Sequence, residues 1–146
     1  MLLTTHSLTG AILVTKIKNP LFSLPLVLIS HYLSDFIPHW DLGYNIKQQS
    51  HLKIFLLALA DGIATLISVF YLFQFRKKFS PLLWHGVGVS LLPDFLEVPM
   101  IFLDLNLFPK LNYFHSKVVH RNSPSIFWGL LPQVILVSLI IFLVLF

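Results

Sequence analysis

Cysteine is absent from this chain, and with it any disulfide framework, thiolate metal site or cysteine nucleophile. Charge is scarce as well: 11% of the 146 residues are Asp, Glu, Lys or Arg, where soluble domains carry roughly a quarter. The six acids are outnumbered by ten Lys and Arg, but the bases fall in short clusters between apolar runs. No basic stripe with interleaved aromatic platforms is present, which argues against nucleic acid as a partner. The start, Met1-Leu2-Leu3-Thr4-Thr5-His6, lacks the positive n-region of a signal peptide and reads as a retained helix.

What the chain does have is apolar surface. Hydrophobic residues make up 56% and the mean hydropathy is +0.82, more than a single domain of this length can hide from water. The lipid bilayer is therefore the expected solvent for residues 1–146, read as one membrane-embedded helical domain. Apolar runs and breakers predict an all-α, polytopic bundle of about five helices. They cover Thr5–Ile17 with Thr4 or Thr5 as N-cap, Pro20–Ile37, His51–Phe75, Pro81–Leu103 and Ile126–Phe146. Pro93 and Pro99 should kink the fourth, and a short interfacial helix is expected around Leu111–His120. The first segment, about 20 Å long by the helical rise, spans a bilayer poorly.

A weak repeat runs through the first four segments. Each half reaches a basic turn (Lys16 and Lys18; Arg76-Lys77-Lys78) and returns through a helix carrying Asp-Phe (Asp35-Phe36; Asp94-Phe95). Two pseudo-repeated helical hairpins plus a C-terminal span would place His6, Asp35, Asp61 and Asp94 in related positions.

Threading the segments once each through a membrane gathers all six acids, and every histidine except His85, toward the face opposite the basic turns. The basic face, having dense short turns and no acids, reads as cytoplasmic. Intramembrane carboxylates cost several kcal/mol each unless paired or metal-bound, so this clustering is the main functional signal. Its sharpest element is His31-Tyr32-Leu33-Ser34-Asp35-Phe36-Ile37-Pro38-His39-Trp40-Asp41. His31 and Asp35, four apart, share a helix face, and the break at Pro38 lets His39 and Asp41 turn back toward it. Imidazole with carboxylate suits a divalent ion, zinc or manganese before others.

His51, His85 and Glu97 read as interfacial or hydrogen-bonded groups, and Asp104 as a solvated loop acid, a reading that stays open for Asp41. His115 and His120 lie five apart, poor α-helical neighbours, so one of them at most is expected in a site. Gln133 fits either a supporting or a helix-packing role.

The elements Thr5-His6-Ser7-Leu8-Thr9-Gly10, His31-x3-Asp35-x2-Pro38-His39-x-Asp41 and Leu91-Leu92-Pro93-Asp94 resemble the membrane-bound metal-dependent hydrolases of bacterial inner membranes. The resemblance implies an inner-membrane location, a divalent metal and hydrolytic chemistry, with His6, His31, Asp35 and Asp94 as the matching metal positions. His39 or Asp41 would act as general base or acid at the rim, and a lipid or phosphoester is the substrate suggested by the depth of the site. A non-catalytic transporter, ion-binding protein or scaffold is the competing expectation.

Overall fold

The computed structural model describes residues 1–41, 48–75 and 79–146. The basic turn Arg76-Lys77-Lys78 and most of the polar loop after Asp41 lie outside the described residues. The fold is all-helical: α1 (Leu3–Lys16), α2 (Pro20–Asp35), α3 (His51–Val69), α4 (Pro81–Leu103), α5 (Pro109–Tyr113) and α6 (Ile126–Leu145). A π-helical turn, Phe70–Gln74, prolongs α3, and a second one, Phe114–Val119, continues α5. The starts follow local chemistry. Asn19, Ser50, Ser80 and Ser125 cap α2, α3, α4 and α6 with their side chains, and Pro20 and Pro81 occupy first-turn positions that need no N–H donor. α4 ends at Asp104, the one described non-glycine residue with positive φ (54°), a conformation that Asp tolerates better than most.

Among the described residues three helical stretches, His51–Gln74, Pro81–Leu103 and Ile126–Leu145, are long and apolar enough to cross a membrane. Only 17%, 28% and 17% of their most apolar windows are buried within the protein. The outward faces, with Leu52, Phe55, Leu59, Ile63 and Leu66 on α3 and Phe127, Val134, Ile135 and Phe142 on α6, are exposed. Such a surface is suited to acyl chains.

α1 is the buried centre, touching α2, α3, α4 and α6. Small residues permit its approach to α4: a Cβ added to Gly10 would lie 2.8 Å from the Gly86 carbonyl oxygen and from Ser90 Cβ. That is the close crossing small residues allow between membrane helices. Towards its C-terminus α1 packs Leu8, Ala11, Ile12 and Val14 against Val27, Leu83 and Val87 in an apolar core.

The start of α1 departs from expectation. Neither Thr4 nor Thr5 is its N-cap; Leu2 holds that position and supplies no side-chain cap. The cap comes from α3. Asp61 accepts from Leu3 N (2.7 Å), Thr4 N (3.3 Å) and Thr4 Oγ1 (2.6 Å), while Gln133 of α6 accepts from Leu2 N (2.9 Å). α1 therefore begins inside the bundle, level with a residue about 15 Å along α3 from His51. Its free N–H groups are met by a neighbouring carboxylate and amide. The need for a partner at Asp61 is met by backbone and hydroxyl rather than by an ion, so it does not parallel the role of His6.

Candidate metal centre

Five pieces of chain meet around the Asp35 carboxylate. The last turn of α2 presents His31 and Asp35 on one face, α4 contributes Asp94 and Glu97, the π-helical turn after α5 brings His115, and two short extended segments bring His39, Asp41 and His120. The extended segments are tied together: His39 N donates to Arg121 O (3.0 Å), Arg121 N to Asp35 O (3.0 Å) and Ser123 N to His39 O (2.7 Å). Trp40 N donates to Gly129 O at the start of α6 (3.0 Å), and Gln133 Nε2 donates to Trp40 O (2.7 Å). Gln133 thus joins the start of α1 to the segment carrying His39 and Asp41, which serves both roles expected for it. Asp35, His31 and His39 are fully buried.

The carboxylate of Asp35 is the hub. Its Oδ2 lies 2.8 Å from His115 Nε2 and 3.2 Å from His31 Nε2, and those two nitrogens are 3.1 Å apart. Asp94 Oδ1 is 3.8 Å from each of them. The other oxygen, Oδ1, faces His6 Nε2 at 3.1 Å and His39 Nε2 at 3.6 Å and takes a hydrogen bond from the Met1 amino group. Beyond it, His39 Nε2, His120 Nε2 and Asp41 Oδ2 form a second tight triangle with edges of 3.1, 2.7 and 3.1 Å.

Protons on the far side of each ring decide what these contacts mean. His31 Nδ1 donates to Ser90 O (2.7 Å) and His39 Nδ1 to Ile37 O (2.7 Å), while His115 Nδ1 donates to Glu97 Oε1 (3.1 Å). In the neutral rings Nε2 therefore carries a lone pair, and His31, His115 and Asp35 aim three lone pairs at one point. Acceptors crowded in this way need a cation between them, either a proton on one ring or a metal ion. The arrangement is the one metal-binding histidines adopt, with the outer N–H fixed by a carbonyl or carboxylate. Donors held 2.0–2.1 Å from a tetrahedral ion are about 3.3 Å apart; the 3.1 and 3.2 Å edges lie close to that spacing, and the 2.7, 2.8 and 3.8 Å edges would each adjust by about half an ångström. Asp94 Oδ2, shielded from solvent, has no hydrogen-bond partner among the described residues. Among the described residues two groups could hold a metal ion: His31, Asp35, Asp94 and His115; and Asp35, His39 and His120.

The charges in the solvent-side segments respond to this crowding. Burial penalises a charged His115, but its bonds to Asp35 and Glu97 outweigh that and raise its pKa to about 10. Burial likewise pushes Asp41 up, yet the imidazoles of His120 and His39 and the Met1 amino group packed against its carboxylate hold it well below the ordinary range.

Of the residues expected at a metal, His31, Asp35 and Asp94 converge. His6 reaches Asp35 and stacks on His31 with ring centroids 4.0 Å apart, outside both groups. His39 and Asp41, expected at an accessible rim, are buried and face the second group instead. The sequence alone points to one at most of His115 and His120 and to no site role for Glu97. Glu97, read as a bystander, orients His115, and both His115 and His120 enter, one in each group. On an α-helix two residues five apart would point about 140° apart. The segment is π-helical, His120 N bonds His115 O (2.8 Å) in the i→i+5 pattern, and the two rings come within 5.5 Å. His85, by contrast, bonds Pro81 O within α4, and His51 packs on Phe102.

A cavity of about 490 Å³ opens onto the cluster. Asp94, His115, His120 and Asp41 are among its polar lining residues, and Ile54 and Ala58 of α3 with Phe95 and Val98 of α4 among its apolar ones. Lys117 and Asn122 also border it. No family model, curated protein or solved structure matches this chain.

Proposed function

We propose that this protein is a membrane-bound, metal-dependent hydrolase acting on an amphipathic phosphoester or ester, with its ion held by His31, Asp35, Asp94 and His115. The observation that carries this reading is the convergence of the His31, His115 and Asp35 lone pairs, with His115 bordering a cavity that is partly lined by apolar side chains. A divalent ion held there would supply Lewis acidity and lower the pKa of a water molecule. The chain's own groups do the rest. Glu97 and the Ser90 carbonyl fix the two imidazoles in the ligating tautomer, and His6 steadies Asp35 Oδ1 from α1. Lys117 and Asn122 at the cavity border are placed to receive an anionic head group, while Ile54, Ala58, Phe95 and Val98 accept its apolar part. An inner-membrane location follows from the resemblance noted in the sequence and is part of the proposal.

A transport role is disfavoured by the interior of the bundle. A route through it would pass the packed Leu8, Ala11, Ile12, Val14, Leu83 and Val87, which offer an ion no ligand. The test is hydrolysis of phosphomonoesters, phosphodiesters, phospholipids and carboxyl esters by detergent-purified protein, with manganese or zinc and with a chelator. Turnover that is abolished by the chelator, restored by metal and lost in Asp35→Asn is expected. Metal-loaded protein inert towards every class would overturn the proposal.

A further inference from the structure

Asp35 has two oxygens, and the structure gives each its own set of imidazoles. Oδ2 faces His31 and His115, with Asp94 completing that side. Oδ1 faces His39, which in turn touches His120 and Asp41, and the Met1 amino group also lies against Oδ1 and 3.6 Å from Asp41 Oδ2. The second group repeats the signature of the first. Its Nε2 and carboxylate atoms lie 2.7 to 3.1 Å apart, close to the spacing of donors around one ion, and His39 has its outer N–H engaged by a backbone carbonyl. His39 Nε2 is thereby left as a buried lone pair facing another imidazole nitrogen and two carboxylates. A single ion on the Oδ2 side would leave that lone pair unmet, and the Met1 ammonium, paired with the Asp35 and Asp41 carboxylates, is the cation a second ion would displace.

We infer that the site binds two divalent ions bridged by the Asp35 carboxylate, the second held by Asp35, His39, His120 and Asp41. The inference rests on the metal-site reading above and adds a stoichiometry and a bridge to it. A paired site of this type clamps both the attacking and the leaving oxygen of an in-line displacement, which places phosphoesters ahead of carboxyl esters as substrates. It also gives His39 and Asp41 a ligand role in place of general acid or base.

The test needs no substrate. Protein purified in detergent, stripped and titrated with Mn²⁺ alone, is measured by elemental analysis and by electron paramagnetic resonance. Wild type is expected to hold about two Mn²⁺ per chain with an exchange-coupled spectrum, as a shared carboxylate imposes. His120→Ala should fall to about one, with the six-line signal of an isolated ion. One ion per chain in folded wild type, or two without coupling, overturns the bridged pair while leaving a one-metal hydrolase intact. No bound Mn²⁺ at all overturns both readings. The wild-type result decides the matter even if the variant fails to fold.

Discussion

Asp61 is the acid whose role is easiest to measure separately from the metal. It accepts three hydrogen bonds from the first turn of α1, two from backbone N–H groups and one from the Thr4 hydroxyl. Asp61→Ala removes all three at once. A lost N-cap costs about 1 kcal/mol, and each buried donor left without a partner adds about 1–3 kcal/mol. Because Asp61 is partly exposed to the cavity, water can replace some of these bonds, so we expect a total of about 2–4 kcal/mol. Asp61→Asn keeps an acceptor but loses the negative charge at the helix N-terminus, a loss of about 1 kcal/mol. Equilibrium unfolding in mixed detergent and SDS, followed by circular dichroism, would measure both. His6 lies one turn further along α1 and meets Asp35, so Asp61→Ala should also weaken metal binding although Asp61 is no ligand. An Asp61→Ala stability within about 0.5 kcal/mol of wild type, the range of an ordinary surface substitution, would refute the capping role.

Three further outcomes follow from the geometry. Glu97→Gln replaces the carboxylate that accepts from His115 Nδ1; loss of such a partner usually lowers metal affinity 10- to 100-fold, and a fluorescent chelator competition would show it. Gly129→Ala would put a Cβ 2.4 Å from Trp40 N and 2.6 Å from Trp40 Cβ. The segment bearing His39 and Asp41 would have to move, so thermal stability and metal content should drop together, with Gly62→Ala, whose added Cβ meets nothing within 4 Å, as control. His115, raised to about 10 in the metal-free protein, is protonated at neutral pH and must release that proton to bind an ion. Affinity should therefore rise about tenfold per pH unit between about pH 7 and pH 9, and calorimetry in two buffers should find about one proton released per ion. In metal-free protein the same raised pKa stabilises the fold below the ordinary imidazole value of 6.5, and that contribution is lost as pH climbs through about 10.

The long apolar helices could be read directly from composition. Ser80-Pro81 and Ser125 mark the starts of α4 and α6, and α4 occupies the predicted Pro81–Leu103 span, running through Pro93 and Pro99. The pairing of His31 with Asp35 was equally visible, since a four-residue spacing fixes both on one helix face. What could not be read were contacts that depend on the third dimension. The partner of Asp61 is the backbone of a helix far away in sequence, and backbone leaves no residue-type signal. The convergence of His115 and His120 depends on a π-helical turn, a departure from the α-helical period on which the sequence argument rested. Glu97 needed His115 to be placed before its carboxylate had a purpose. His39 and Asp41 were recognised as part of the constellation, but their depth came from the ties to Arg121, Ser123 and α6 that roof them over.

The central claim is that His31, Asp35, Asp94 and His115 hold a divalent ion. A crystal structure of zinc-loaded protein with diffraction recorded on both sides of the zinc absorption edge tests it most directly. An anomalous peak about 2.0–2.2 Å from His31 Nε2, His115 Nε2 and an Asp35 oxygen is expected. Bound zinc found elsewhere, with the four side chains packed on one another through protons alone, would contradict it.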